Sequence, residues 1–311
     1  MTPILPRVYN IAPGGDFLDV LAKNILHGFP HEGDSPRVPL SRWTILLPTR
    51  RAARQLGQTL LNASKQKAIL LPTIKPIGDL DQDQISNKNI ITNLPNAITP
   101  SGQFFTILSL LGNWSAENPH ITLAQEIAKS RPQAIALANS LVKLVDQIET
   151  EEVNFDKISE VYEADLSEHR NSILSLLSVV KSELPKQLHT ENLIGPSEKR
   201  NRAIRLEAEL IAQGEQNWPI IAAGSTGTIP ATRALLLAIA KHRLGAVILP
   251  GLDSTMDDQA WTTLKPDHPQ SSLKNLLTEF DLKRSEVLNL SLGNQSRNFL
   301  SSESCLWNQR Q

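Results

Sequence analysis

The stretch that decides the fold is residues 219–253, which read PIIAAGSTGTIPATRALLLAIAKHRLGAVILPGLD. Ile220–Ala223 and residues 246–249 are short apolar runs without alternation, as expected of strands buried on both faces of a sheet. Between them lies an apolar segment that begins at Pro230, a residue that the first turn of a helix tolerates. The stretch therefore predicts a strand–loop–helix–strand unit of a parallel sheet.

Several segments, taken in their order along the chain, resemble one protein family. They are similar to AddB, the second subunit of the bacterial AddAB helicase–nuclease that processes DNA double-strand breaks, in its alphaproteobacterial type. Together they span nearly the whole chain. The matching segments are residues 8–14 (VYNIAPG), 47–54 (LPTRRAAR), 147–151 (QIETE), 223–232 (AGSTGTIPAT), 247–253 (VILPGLD) and 268–270 (HPQ).

The resemblance implies an α/β fold in which a RecA-like, P-loop NTPase-like parallel sheet carries an all-α insertion. On this basis residues 1–100 form the first half of the α/β domain, residues 101–215 the helical insertion and residues 216–311 the second half. The residue pattern agrees, because apolar residues recur three or four apart through much of the middle segment.

Local patterns place further elements along the chain. Strands are predicted at 7–11, 43–47 and 68–71, and a loop or linker at 79–101. In the middle, Pro132 is expected to open a helix, Asp165 with Glu168 to form a capping-box-like start, and Pro185 to end that second helix. The other predicted elements are a helix from Gly195-Pro196 to Ala212, a helix at 273–280 and a strand at 287–290.

Composition indicates an ordinary soluble protein. Of 311 residues, 40% are hydrophobic and 20% charged, and no apolar run approaches the ~20 residues that a membrane span needs. The sequence lacks a signal-peptide pattern, and the single Cys305 excludes an internal disulfide framework, so we expect a cytoplasmic location. Net charge is +4 over residues 1–100, −6 over 101–215 and +1 over 216–311, which places any nucleic-acid contact on the outer parts.

The first predicted strand is followed by a turn, Ala12-Pro13-Gly14-Gly15, at the position where a P-loop would lie. A P-loop needs a Lys for the phosphates and a Ser or Thr for Mg²⁺, and neither residue is present. Asp16 is placed to cap the next helix and would put a carboxylate where a phosphate would bind. The segment therefore predicts a structural turn rather than an ATP site.

The candidate nucleic-acid-binding residues are Thr49, Arg50, Arg51 and Arg54, which follow the second predicted strand. In helicases of the AddAB class this loop can touch the backbone of single-stranded DNA, and guanidinium groups bind phosphate bidentately. The alternative is a solvated first helical turn with its own ion pairs.

Catalytic motifs are incomplete. The loop at Gly224–Gly227 lacks the first glycine of a hydrolase nucleophile elbow and the third glycine of a dinucleotide-binding loop. The strand before it ends without a metal-binding acid, and Asp253 after the next strand is expected to be a turn or cap residue. The histidines show no metal-ligand spacing. We expect no catalytic or metal-binding residue in this chain.

The sequence thus supports a DNA-processing scaffold. It resembles the amino-terminal, ATPase-inactive, helicase-like part of AddB, which implies DNA and an AddA-like helicase–nuclease subunit as partners in double-strand break repair and recombination. The family's nuclease domain and its iron–sulfur cluster have no counterpart among the matching segments, so the chain is expected to be a fragment without a cofactor. The alternative is a nucleotide-binding α/β enzyme that uses the Gly224–Gly227 loop.

Overall fold

A computed structural model describes residues 6–30, 38–78, 94–154, 168–214 and 217–291. The chain forms two compact units, unit 1 (Met1–Asp79 with Ile204–Gln311) and unit 2 (Leu80–Ala203). Unit 2 is thus inserted into unit 1, whereas the sequence placed these two boundaries after residues 100 and 215.

Strands and helices alternate along unit 1, while unit 2 is mainly helical. The strands are β1 (Val8–Ile11), β2 (Thr44–Leu47), β3 (Thr73–Pro76), β4 (Asn96–Ala97), β5 (Leu193–Ile194), β6 (Ile220–Ala223), β7 (Gly245–Pro250) and β8 (Leu288–Asn289). The helices are α1 (Phe17–Leu26), α2 (Arg50–Ser64), α3 (Pro100–Glu117), α4 (Thr122–Lys129), α5 (Arg131–Glu151), α6 (Glu168–Thr190), α7 (Pro196–Ala212), α8 (Pro230–Lys241), α9 (Asp258–Thr262) and α10 (Ser271–Glu279).

Unit 1 is built on a six-stranded parallel sheet with the order β3-β2-β6-β7-β1-β8. Thr44 of β2 pairs with Ile220 of β6, and Val8 of β1 pairs with Val247 of β7. All residues of β1, β2 and β6 are buried, which is why these strands are apolar without alternation. The predicted α/β fold with one parallel sheet and a helical insertion is confirmed.

Helices cover both faces of the sheet. On one face α1 and α2 pack on alternate strand residues such as Ile45, Ile221 and Ile248. On the other face α8, α10 and the second half of α7 pack on the intervening residues, such as Leu46 and Ala222. We call these the α1–α2 face and the α8 face. The sheet is therefore the central layer of three.

The third strand is not where the sequence placed it. Residues 68–71 form no strand, Leu70 is 80% exposed, and β3 begins only after Pro72. The strand lies at the edge of the sheet, where proline is tolerated because one side of the strand needs no ladder donors. The edge position explains why Pro76 can be part of β3.

Asn10 is a buried polar residue on β1, next to the edge strand β8, and both polar atoms of its side chain are hydrogen-bonded. Its Oδ1 accepts from the backbone N–H of Leu252 at 2.8 Å, and its Nδ2 donates to the Leu252 carbonyl at 3.0 Å and to Oδ1 of Asn289 at 2.7 Å. A buried amide left without partners would cost stability. Here the amide joins β1 to the loop after β7 and to β8.

A buried ion pair joins β3 to α7 within unit 1. Nζ of Lys75 lies 2.9 Å from Oε1 of Glu207, and the side chains are 5% and 32% exposed respectively. The pair links the chain segment that precedes the insertion to the segment that follows it. The lysine is the more deeply buried partner, so Glu207 is needed to compensate its ammonium group, whereas the carboxylate of Glu207 also reaches water.

This asymmetry predicts unequal effects of mutation. Glu207→Leu leaves a buried ammonium without its acceptor and should lower the free energy of unfolding by about 3–5 kcal/mol. Lys75→Met leaves a carboxylate that water can solvate and should cost clearly less. The double variant should recover most of the loss, and urea denaturation of all four proteins measures the cycle. Equal losses in the single variants, adding up in the double variant, would contradict this account.

Unit 2 has a helical core of its own. Trp114 of α3 is fully buried among residues of α3, α4, α5 and α6, and its Nε1 donates to Oγ of Ser175 at 3.3 Å. The short strands β4 and β5 pair in parallel, with Asn96 opposite Leu193. The apolar stripes predicted from the sequence are therefore core positions.

Of two helix predictions in this part of the chain, one is confirmed and the other is wrong. The helix from Pro196 to Ala212 is confirmed, whereas α6 does not end at Pro185 but continues to Thr190. Proline removes one helical hydrogen bond, and the flanking Leu184 and Leu188, both buried in the core, hold the helix together across it. The capping residue Asp165, most of the 79–101 linker and the tail around Cys305 lie outside the described residues.

Glu149, in the matching segment at 147–151, caps helix α7 from the end of α5. Its Oε2 accepts from the backbone N–H of Glu198 at 3.3 Å. Gly195, just before α7, leaves room for this carboxyl, since a Cβ there would come within 2.3 Å of Oε2. Burial raises the pKa of Glu149 from 4.5 to about 7, and the nearby carboxylates of Glu198 and Asp146 add to the rise.

The raised pKa of Glu149 predicts the direction in which the stability of the fold changes with pH. The folded chain binds the Glu149 proton more tightly than the unfolded chain, so this group favours folding most below pH 4.5 and loses that contribution as pH rises to about 7. Glu149→Gln keeps an acceptor for the Glu198 N–H and removes the ionisation. Its melting temperature minus that of the unmodified chain should therefore increase between pH 5 and pH 8.

Glu183→Gln is the matched control for this experiment. Glu183 is an exposed carboxyl on α6 whose pKa is lowered by hydrogen bonds from Lys186 and Ser182. Its substitution should give no gain with rising pH. A melting-temperature difference for Glu149→Gln that stays flat across the series would show that the carboxyl is ionised in the folded chain.

Candidate nucleic-acid interface

The predicted DNA-binding residues lie at the start of α2, directly after β2. Thr49 is the N-cap of the helix, and its Oγ1 accepts from the N–H of Ala52 at 3.1 Å. Arg50, Arg51 and Arg54 follow on the first turns, and all are exposed. Spacings of three and four residues bring Arg54 next to both other arginines on the helix surface. We call these four residues the basic turn.

The basic turn is electrostatically unfavourable for the helix itself. The first turn of α2 contains no acidic residue, so positive side chains lie at the positive end of the helix dipole. Arg51 and Arg54 have no ion pair with any carboxylate in the described part of the chain. Each such placement costs a few tenths of a kcal/mol or more. An anion bound at this turn would reverse that cost.

The basic turn lies at the carboxyl edge of the sheet, at the point where the connections after two neighbouring strands turn to opposite faces. β2 and β6 are neighbours, with Leu46 opposite Ala222, but the chain leaves β2 toward the α1–α2 face and leaves β6 toward the α8 face. Diverging loops of this kind form the crevice in which open α/β sheets bind ligands. The two loops approach closely here, because a Cβ on Gly224 would lie 3.6 Å from Cδ of Pro48.

A groove continues the basic surface along α2. It encloses about 540 Å³ between α2 and residues 67–74, and Arg54 and Lys67 are among its lining residues. Leu71 also lines the groove and is 44% exposed, and the adjacent Leu70 is 80% exposed. Lys67 was not predicted as a site residue, because it lies outside the helix and lines the same groove as Arg54 only through the return of the chain toward β3.

Three other matching segments meet at the same edge of the sheet, and their polar groups are satisfied within the protein. The N–H of Gly251 donates to the carbonyl of Ile11 at 2.9 Å. Gln270 accepts from the N–H of Asp253 at 3.1 Å and donates to the Gly251 carbonyl at 2.9 Å. Together with Asn10, these bonds hold segments 8–14, 247–253 and 268–270 together. Their role is structural, in contrast to the basic turn.

The turn after β1 has the structure that the sequence predicted. Asp16 is the N-cap of α1, and its Oδ1 accepts from the N–H groups of Leu18 at 3.1 Å and Asp19 at 3.2 Å. These are the donors that a P-loop would offer to a phosphate. The carboxylate therefore already occupies the anion position at the start of α1.

Asp253 is also accounted for as a turn residue, as expected. Its Oδ1 accepts from the hydroxyl and N–H of Thr255, both at 2.8 Å, and from the N–H of Met256 at 2.9 Å. The hydrogen bonds from Thr255 lower the pKa of Asp253. Among the described residues no group of three His, Cys, Asp or Glu side chains could hold a metal ion. A four-cysteine iron–sulfur cluster does not fit this chain, whose only cysteine is Cys305.

Comparison with known proteins adds no family assignment. The sequence matches no protein-family model and no curated protein. Over the described residues, no helix combines the length and the apolar character that crossing a membrane requires. The family resemblance therefore rests on the matching segments alone.

The turn after β1 gives a prediction about ATP. Because Asp16 holds the first free N–H groups of α1 and the P-loop Lys and Ser/Thr are missing, we expect no measurable Mg²⁺–ATP binding and no ATP hydrolysis. Calorimetric titration with Mg²⁺–ATP is the direct measurement. Micromolar binding that disappears in a Gly14→Ala/Gly15→Ala variant would identify this turn as a working nucleotide site and contradict the prediction.

Proposed function

We propose that this chain is a helicase-like, ATPase-inactive part of an AddB-like subunit that binds single-stranded DNA during double-strand break processing. The observation that carries the proposal is the basic turn, which lies at the carboxyl edge of the sheet. At this edge segments 8–14, 247–253 and 268–270 are hydrogen-bonded to one another, whereas Arg51 and Arg54 have no partner among the described residues.

Phosphate is the ligand whose chemistry fits the basic turn. Guanidinium groups donate paired N–H bonds that match phosphate oxygens, and the helix N-terminus adds a favourable dipole. The groove beyond Arg54 offers a second cation, Lys67, together with exposed apolar side chains at Leu70 and Leu71. A single strand, whose phosphates and unstacked bases are both accessible, uses such a surface better than a duplex does.

The strand order supports the RecA-like interpretation over the enzyme alternative. The late strands β6 and β7 lie between β1 and β2, whereas the first two strands of a dinucleotide-binding sheet are neighbours. Gly227, the second glycine of the loop after β6, is buried against Leu276 and Arg233. It is therefore poorly placed to let a pyrophosphate approach the backbone.

Partner binding belongs to the same proposal. A chain without a working ATP site cannot drive translocation, so an AddA-like helicase–nuclease subunit would supply the motor and this chain would supply DNA contacts. In that arrangement the basic turn holds the strand while the partner moves it. The proposed location of the DNA contacts is the carboxyl edge of the sheet.

The basic turn can be tested by its salt dependence. Arg50→Ala/Arg51→Ala should weaken binding of a labelled oligothymidylate and lower the slope of log K against log salt by about one unit for each lost phosphate contact, because fewer counterions are released. Fluorescence anisotropy across a salt series measures both quantities.

Lys241→Ala/Arg243→Ala is the matched control. It removes the same charge from exposed residues at the end of α8, at the opposite edge of the sheet. This control should keep most of its affinity and slope. If both double variants behave alike, or if the basic-turn variant matches the unmodified chain, the assignment of the interface is wrong.

A further inference from the structure

The loop after β6, residues 224–228, forms the other side of the crevice from the basic turn. Its first residue, Gly224, adopts a φ of +79° and lies against Pro48 of the β2 loop. Because Leu46 and Ala222 are paired in the sheet, the residues after β6 lie next to the residues after β2.

The threonine hydroxyls of the loop have no partner in the part of the chain that the structure describes. Thr226 is half-buried and Thr228 exposed. Ser225 differs, since its Oγ accepts from the N–H of Gly227 at 3.3 Å. Loop hydroxyls commonly bond nearby backbone in this way. Thr226 and Thr228 therefore offer donors that the fold itself does not use.

The loop is held in one shape by Arg233 of α8. Nη1 of Arg233 donates to the carbonyls of Gly227 at 3.1 Å and Thr228 at 2.9 Å, while Nε bonds Oε2 of Glu279 at 2.6 Å. The carbonyls of Gly227 and Thr228 are thus occupied, while the hydroxyls of Thr226 and Thr228 can still donate. Phosphodiester oxygens only accept hydrogen bonds, so they match such a loop, and a preformed loop binds at a lower entropic cost.

We propose that Thr226 and Thr228 bind the phosphodiester backbone of the same single strand that the basic turn holds, as the opposite wall of the crevice. This inference rests on the proposed function and extends it to a second, uncharged set of contacts. The arginines provide the salt-dependent attraction, and the threonines fix the path of the strand. Arg233 acts through the loop and is a positioning residue.

Contacts from uncharged hydroxyls can be distinguished from arginine contacts by the salt dependence of DNA binding. Thr226→Val/Thr228→Val removes both hydroxyls at nearly constant volume and should weaken oligothymidylate binding by about two- to tenfold for each hydroxyl. The slope of log K against log salt should stay unchanged, because no counterion release is lost. Arg50→Ala/Arg51→Ala should change the slope in the same assay.

Thr278→Val is the control, since Thr278 is exposed on α10 and bonds only its own helix, at the Lys274 carbonyl. It should leave affinity unchanged, and melting curves should show that all variants fold. Unchanged affinity in the double threonine variant, with a normal arginine effect, overturns this inference alone. No oligonucleotide binding by the unmodified chain overturns the proposed function as well.

Discussion

Burial of the parallel sheet on both faces is the constraint on which the rest of unit 1 depends. Helices cover both sides, so most side chains along β1, β2, β6 and β7 are apolar. Asn10 is tolerated there because each of its polar atoms is hydrogen-bonded. Polar chemistry is therefore confined to the strand ends. At the carboxyl edge several polar groups hold loops together, and among the described residues Arg51 and Arg54 keep charge that no carboxylate neutralises.

Sequence patterns predicted the helices and strands whose ends are determined by residues close by in the chain. The strand and helix boundaries around Gly224, the cap at Asp16 and the start of α7 at Pro196 all follow from burial patterns and end signals within a few residues. The sequence failed where distant packing outweighs a local signal. β3 includes Pro76 because it is an edge strand, and α6 passes Pro185 because core contacts on both sides hold it.

Side-chain partnerships between distant residues could not be predicted. Lys75 with Glu207, and Glu149 with Gly195, become neighbours only after the chain has folded. The candidate site shows the same division. Thr49 and the three arginines were recognisable from their position after a strand, whereas Lys67, Thr226 and Thr228 became candidates only once the groove and the strand order were known. Whether a polar side chain has a hydrogen-bond partner can be seen in a structure but not in a sequence.

The strand order also determines when the sheet can assemble. β6 and β7 lie between β2 and β1, so a chain emerging from the ribosome carries β1 and β2 without their central neighbours until Val247 has been synthesised. Unit 2 is contiguous, from Leu80 to Ala203, and needs no residue outside that range for its main core. Such long-range pairing is slow and leaves apolar strand edges exposed meanwhile. Unit 1 thus depends, during synthesis, on protection of its first strands from aggregation.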